Sequence, residues 1–146
     1  MDVKNCAFCD IVTHSNNAAV IYEDEDVIIF LDQRPLFQGH SLLIPRQHYE
    51  TITDLPNHLI EPYFLKLKQM TGVIKEGMAA DGVFVAMNNT VSQSVPHLHT
   101  HIVPRRRGDG LKGFFWPRQH YQEQELVLTQ QRLQDVWKRH YDEKVA

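Results

Sequence analysis

The hydrophobic and polar positions of the chain predict five short strands. Two runs rich in β-branched and aromatic residues, 19–23 and 27–31, flank an acidic turn, which is typical of a β-hairpin. The segment "GHSLLIP" at 39–45 ends at a proline and predicts a third strand. Two further apolar runs, "GVFVAMN" at 82–88 and "HLHTHIVP" at 97–104, predict the fourth and fifth strands.

Two other segments have helical periodicity. Between Leu59 and Met78 the apolar residues recur every three or four positions, which predicts one long amphipathic helix. Near the end of the chain Thr129 is a candidate N-cap for a second helix that extends to about Tyr141. One face of that helix carries Leu133, Val136, Trp137 and His140. Strands together with two helices place the chain in the α+β class.

The alternation within the fifth predicted strand has a chemical consequence. His97, His99 and His101 are two residues apart, so a strand would project all three imidazoles to the same face. The loop before them is rich in amides and hydroxyls, which predicts a polar pocket beside the histidines; its polar residues are Asn88, Asn89, Ser92, Gln93 and Ser94.

Composition limits the function classes. A chain of 146 residues with 42% hydrophobic residues fits a single domain with one core, and a net charge of −3 argues against nucleic acid as a main partner. The longest apolar run, "VIIFL", is too short to span a membrane, and the first residues show no signal-peptide pattern. We therefore expect a soluble, cytoplasmic protein that has no membrane partner.

Three imidazoles on one face allow more than one chemistry. Alternating histidines are common metal ligands, and neutral imidazole suits zinc. Imidazole is also largely unprotonated at pH 7 and can attack phosphorus as a nucleophile. The remaining alternative is that they are ordinary surface histidines on a half-exposed strand.

Two smaller features leave their own alternatives open. Cys6 and Cys9 form a C-x-x-C pair, which is typical of half a metal site, a redox pair or two free thiols. The basic cluster at 105–107, with Lys112 and Arg118, is either a solvated loop or a contact for an anionic substrate. The loop 105–121 either packs in the ordinary way, gates substrate or contributes to a dimer.

Several linked motifs together resemble the histidine triad (HIT) family of nucleotide hydrolases and transferases, zinc-binding type. They are "CAFCDIV", "VIYEDEDVIIFLD", "GHSLLIPRQH", "NN" and "QSVPHLHTHIVPR", and they cover about residues 6–107, with 108–146 as an extension of the same domain. The resemblance implies a five-stranded antiparallel sheet and a homodimer. Two departures stand out: the loop before the histidines lacks a glycine and is about two residues shorter, and Thr100 replaces a hydrophobic residue.

The resemblance also implies roles for individual residues. His99 would be the nucleophile that forms a nucleotidyl-histidine, which water then hydrolyses, while His101 and His40 would hold the phosphate and the nucleophile's ring. The purine nucleotide would be bound by Asp32 at the ribose, by Gln93, Ser94 and Asn88 at the phosphate, and by Ile28 and Phe30 at the base. Asp32 could instead cap a turn, and Ile28 and Phe30 could be plain core residues.

A structural zinc ion completes the set. The resemblance implies that Cys6, Cys9, His48 and His97 bind it, and the proposed mechanism requires no catalytic metal. The expected function is hydrolysis or transfer at the α-phosphate of a nucleoside phosphoramidate or a dinucleoside polyphosphate. The alternatives are a nucleotide-binding regulatory module with negligible turnover and a metal-binding protein that uses the whole triad.

Overall fold

The computed structural model describes residues 3–111 and 117–142, which divide after Asp109 into two compact units. The first unit contains two α-helices and five strands: α1 (Ala7–Thr13), β1 (Val20–Glu23), β2 (Val27–Leu31), β3 (Ser41–Pro45), α2 (Asn57–Gly77), β4 (Gly82–Ala86) and β5 (Thr100–Arg105). The second unit contains α3 (Glu125–Trp137), which continues into a π-helical turn, Lys138–Asp142. None of the helices in these described ranges is long and apolar enough to cross a membrane.

The five strands form one sheet in the order β1-β2-β3-β5-β4, and all neighbouring strands are antiparallel. The predicted α+β class, the antiparallel sheet and the β1–β2 hairpin are confirmed. The expectation of a single domain with its core at about 6–107 stays a prediction.

Alternate residues of the sheet build two hydrophobic clusters on opposite faces. On one face, α2 packs over Ile29, Leu43 and Ile102, and we call this the α2 cluster. On the other face, α1 packs over β2 and β3 in a second cluster, the α1 cluster, whose buried members are Cys6, Phe8, Ile28, Phe30, Leu42 and Ile44. The buried Tyr63 hydroxyl of α2 donates to the Leu43 carbonyl oxygen at 3.0 Å and accepts from the Thr100 hydroxyl at 2.7 Å.

The fifth strand begins three residues later than predicted. The β3–β5 ladder starts at Thr100, opposite Leu43, because the residues before it bond elsewhere: the amide of Leu98 donates to the Tyr49 carbonyl in the loop after β3, at 2.6 Å. The predicted alternation nevertheless holds, since Leu98 and Ile102 lie in the α2 cluster while His99 packs against the α1 side.

The C-terminal helix begins earlier than predicted. Thr129 is an interior residue of α3 rather than its N-cap, and the residue before the helix is Gln124, whose φ of 67° is left-handed. The Glu125 carboxylate accepts a hydrogen bond from the Gln122 amide at 2.6 Å, which ties the segment before the helix to its first residue. The described part of α3 buries no residue, and Leu133 and Trp137 are both more than 60% exposed.

The basic cluster is folded into the turn after β5. The Arg105 guanidinium donates two hydrogen bonds to Asp109, at 2.6 and 2.8 Å, and Arg106 donates to the Met78 carbonyl at 2.6 Å. These pairings favour a structural role for both arginines. Lys112 lies outside the described residues, as does part of the loop 105–121.

Candidate functional site

The orientation of the His99 imidazole is set by its own backbone neighbour. His99 is 2% exposed, and its Nδ1 lies 2.8 Å from the His97 carbonyl oxygen. Because a carbonyl oxygen can only accept, Nδ1 carries the proton in this hydrogen bond. The neutral ring therefore has its lone pair on Nε2.

A short hydrogen-bonded chain fixes the tautomers of two further histidines. The Leu36 amide donates to His40 Nδ1 at 3.1 Å, so neutral His40 carries its proton on Nε2. That nitrogen lies 2.9 Å from His101 Nδ1 and donates to it, which leaves the proton of His101 on Nε2.

Burial keeps both members of this chain neutral. Burial is the main cause that lowers the pKa of His101 to about 4, and the nearby His99 and His40 lower it further against the opposing effect of Asp32. Burial also lowers the pKa of His40 from its ordinary value, although Asp32 raises it. At pH 7 the pair acts through hydrogen bonds rather than through positive charge.

Asp32 caps a turn and also borders the cavity beside the histidines. Its Oδ1 accepts from the Arg34 amide at 2.9 Å, which is the turn-capping role. Its Oδ2 lies 3.8 Å from His40 Nε2, and the residue also lines the cavity beside the histidines. One carboxylate oxygen thus caps the turn, and the other remains available for a ligand hydroxyl.

His99, His101 and Asp32 border a cavity of about 470 Å³, a size typical of small-molecule sites, whereas His40 lies behind His101 and does not line it. The apolar part of its wall comes from α1, from the end of β2 and from β3; those side chains are Ala7, Phe8, Ile11, Phe30, Leu31 and Leu42. The polar part includes Asp32, Ser94, His99 and His101. A wall that offers both apolar contacts and hydrogen-bonding groups suits a ligand that has an aromatic base and a phosphate.

Three predicted ligand-binding residues do not line this cavity. Ile28 is fully buried in the α1 cluster. The Asn88 amide donates to the Ser92 carbonyl at 3.1 Å. The Gln93 side chain donates to the Glu50 carbonyl at 2.5 Å and accepts from a loop amide, so its hydrogen bonds stabilise the loop itself.

The loop that lacks the family's glycine adopts unusual backbone conformations. Thr90 and Ser92 have φ values of 75° and 61°, in the left-handed region that favours glycine. The loop still places Ser94 and Val95 in the cavity wall. Of the three loop residues predicted to contact the phosphate, only Ser94 lines the cavity.

Sequence reasoning missed the part of the wall that α1 supplies. Phe8 and Ile11 both line the cavity, and they are three residues apart on a helix that the strand pattern did not indicate. The spacing of Phe8 and Ile11 within "CAFCDIV" was the only available signal, since residues three apart share a helix face. Arg34 and Leu42 line the cavity as well, without a pattern that could have indicated it.

At the N-terminal end of α1, the two cysteines lie close to two histidines. Cys6 Sγ lies 3.4 Å from His97 Nδ1, and Cys9 Sγ lies 3.6 Å from the same nitrogen and 3.3 Å from His48 Nδ1. The four candidate ligand atoms all lie within 4.8 Å of one another. A tetrahedral zinc ion with ordinary Zn–S and Zn–N bond lengths requires S···N separations of about 3.6 Å, so these residues fit zinc.

The hydrogen bonding of this cluster is consistent with such a ligand set. His97 Nε2 donates to the Pro45 carbonyl oxygen at 2.8 Å, which directs the lone pair of Nδ1 towards both sulfurs. Burial and the neighbouring Cys6 raise the pKa of the Cys9 thiol to about 11. A bound cation would reverse this effect, because zinc ligates the thiolate.

Comparison with known proteins gives one family. The HIT domain model matches residues 13–108. An uncharacterized HIT-like protein of Methanocaldococcus jannaschii is 38% identical over 107 residues, which are 72% of this chain and 82% of that protein. An Arabidopsis thaliana protein named adenylylsulfatase HINT3 is 30% identical over 135 residues, which cover 91% of this chain and 66% of the plant protein.

A similar solved structure contains a metal. The crystal structure of a Zn-bound histidine triad family protein from Mycobacterium smegmatis superposes with a TM-score of 0.69 at 37% sequence identity. The match covers 79% of this chain and 85% of the other.

Proposed function

This chain belongs to the histidine triad (HIT) family of nucleotide-binding hydrolases and transferases, and we propose that it cleaves a purine nucleotide at its α-phosphorus through a covalent intermediate on His99. The proposed substrates are nucleoside phosphoramidates or dinucleoside polyphosphates. The observation that carries the proposal is the tautomer of His99, whose Nε2 has a lone pair and whose ring lines the cavity.

The proposed reaction has two displacements at phosphorus. His99 Nε2 forms a bond to the α-phosphorus while the bond to the leaving group breaks, and this gives a nucleotidyl-histidine. Water then attacks the same phosphorus, the P–N bond breaks, and the nucleoside monophosphate leaves with neutral His99 restored. His101 supports both steps, because its Nε2–H can donate to the phosphate oxygens as charge develops on them.

Binding is assigned to the rest of the cavity wall. We propose that Asp32 accepts hydrogen bonds from the ribose hydroxyls through Oδ2, that Ser94 donates to the phosphate and that Phe30 contacts the base. Gln93 and Asn88 support the phosphate site by stabilising its loop, because Asn88 bonds within the loop and Gln93 ties the loop to the Glu50 carbonyl.

We propose that the bound metal is zinc and that its role is structural. Cys6, Cys9, His48 and His97 would hold it, and it would supply a cross-link between α1 and the segment that leads to His99. The catalytic proposal requires no other metal. We further propose that the protein is a cytoplasmic homodimer, which sedimentation analysis of the purified chain would test.

Trapping the intermediate tests the proposal directly. Wild-type protein is mixed with adenosine 5′-phosphoramidate, with a diadenosine polyphosphate or with adenylyl sulfate, which the name of the plant relative suggests. Quenched samples are analysed by intact-mass spectrometry and for released AMP. We expect AMP together with the mass gain of one adenylyl group, located on His99 by peptide mapping and absent in His99→Asn.

Two outcomes would redirect the interpretation. Saturable nucleotide binding without AMP release from any of the three substrates would favour a regulatory nucleotide-binding module. AMP release by His99→Asn at the wild-type rate would exclude the covalent mechanism.

A further inference from the structure

One aromatic side chain connects the proposed nucleophile, the proposed zinc site and the cavity wall. The Phe8 ring centroid lies 5.1 Å from that of His99, with the ring planes at 79°. It also lies 5.9 Å from the His97 ring and 5.7 Å from the Phe30 ring, again in steep edge contacts. Phe8 itself is only 8% exposed.

The imidazole of His99 needs a second restraint besides its hydrogen bond. The torsion between an sp³ carbon and a planar ring is broad and roughly two-fold, so the ring has an alternative orientation half a turn away. In that orientation a carbon replaces Nε2 at the phosphate, and the hydrogen bond to the His97 carbonyl is lost. A ring packed nearly perpendicular against the imidazole opposes this rotation, and Phe8 is such a ring.

The position of Phe8 depends in turn on the cysteines. A helix of seven residues is too short to be stable alone, so α1 relies on what anchors it. Its N-terminus is capped by Cys6, whose sulfur accepts from the Cys9 amide at 3.4 Å. Both sulfurs belong to the proposed zinc set, and Phe8 lies between them in sequence.

We infer that Phe8 is a positioning residue for His99, and that an occupied zinc site acts on the nucleophile through this ring. The inference rests on the proposed function of His99 and adds a role to a residue that otherwise serves only as part of the cavity wall. Loss of a wall contact and loss of positioning have different signatures. The first weakens nucleotide binding and raises KM, whereas the second lowers kcat and disturbs the tautomer of His99.

The first experiment compares Phe8→Leu with a matched control. Val12→Ala removes apolar contacts of the same helix against the same α1 cluster, but Val12 lies outside the cavity wall. With adenosine 5′-phosphoramidate as substrate, we expect kcat of Phe8→Leu to fall roughly three- to tenfold with KM changed by less than about threefold, which is the scale of one aromatic pair. Val12→Ala should keep the wild-type kcat.

The second experiment observes the imidazole without turnover. In ¹⁵N-histidine-labelled holoprotein at pH 8, the His99 signals, assigned by their absence in His99→Asn, should show one protonated and one unprotonated nitrogen. In Phe8→Leu the ring should lose its Nδ1 hydrogen bond to the His97 carbonyl part of the time and exchange between tautomers, so the two ¹⁵N shifts should move towards each other, while elemental analysis still finds the wild-type zinc content. Removing zinc with a chelator should move the shifts in the wild type and have little further effect in Phe8→Leu.

Each arm can overturn the inference. Unchanged His99 signals with a raised KM in Phe8→Leu would reduce Phe8 to a contact for the base. If zinc removal moves the His99 ¹⁵N shifts equally in the wild type and in Phe8→Leu, then zinc acts on His99 through the backbone of His97 and not through Phe8. If no substrate is turned over by the wild type, the proposed function fails, but the nitrogen shifts still decide whether Phe8 positions His99.

Discussion

Lowering the pH from 7 to 5 is expected to destabilise the folded protein through His101. The pKa of His101 is lowered to about 4 in the folded state, mainly by burial, against an ordinary value of about 6.5. The unfolded chain therefore binds a proton over a range in which the folded chain does not. The stability contributed by neutral His101 is present above about pH 6.5 and is lost progressively as the pH falls towards about 4.

The size of the effect follows from the same two values. Between pH 7 and 5 the unfolded histidine gains most of a proton and the folded one gains little, which corresponds to about 2 kcal/mol in the limit of full burial. His101 is partly exposed, and solvent screening reduces the expected contribution to about 1 kcal/mol.

The assay is urea unfolding at fixed protein and excess zinc concentrations, at pH 7 and pH 5. His101→Gln should lose about 1 kcal/mol less stability than the wild type over this interval, because glutamine does not titrate. His58, an exposed residue of α2, provides the control, and His58→Gln should lose as much as the wild type. An equal loss in wild type and His101→Gln would refute the assignment of a buried, neutral His101.

Three further substitutions test the division of roles in the site. His99→Asn should abolish turnover and keep nucleotide affinity within roughly tenfold, measured by calorimetry, because most contacts come from other residues. Asp32→Ala should weaken nucleotides more than phosphate compounds that lack a ribose; equal losses would leave Asp32 only its turn-capping role. Cys6→Ser should lose the zinc, expected at about one per chain by elemental analysis, and several kcal/mol of stability, whereas His99→Asn should keep both.

The strands could be predicted because each one carries its own pattern. Runs of β-branched residues with polar neighbours locate all five, and the alternation around His99 correctly separates the residues on the two faces of the sheet. The start of β5 could not be predicted, since an extended segment becomes a strand only where a partner strand bonds to it. The chain bends at His97, and the amide of Leu98 bonds to the Tyr49 carbonyl in the loop after β3 rather than to a strand.

The N-terminal helix could not be predicted for a different reason. Seven residues span two turns, too few for a helical period to stand out, and the feature that begins the helix is the sulfur of Cys6 rather than a common N-cap oxygen. This short helix supplies Phe8 and Ile11 to the cavity. The apolar wall of the cavity therefore differs from the expected one. Ile28 was expected to contribute to it, but the structure has Phe8 and Ile11 of α1 in the wall instead.

The family resemblance indicated residue types but not their hydrogen bonds. Gln93 was expected at the phosphate, and its position beside Ser94 is as expected. Its side chain turns instead to the Glu50 carbonyl and the Thr90 amide, in a loop where Thr90 adopts a left-handed conformation. Such a choice depends on contacts between distant segments, which no local pattern contains.

The same distinction explains how one residue type can be proposed for three different roles within five positions. Each histidine has one ring nitrogen engaged by a neighbour, and the other nitrogen is left for function. Pro45 accepts from Nε2 of His97, which leaves Nδ1 for the proposed metal, whereas the His97 carbonyl accepts from Nδ1 of His99 and leaves Nε2 as the proposed nucleophile. His40 donates to Nδ1 of His101, so the proton of His101 is on Nε2 and that ring becomes a donor. The role of each histidine therefore depends on the partner of its engaged nitrogen, and exchanging that partner would change the chemistry without changing the histidine.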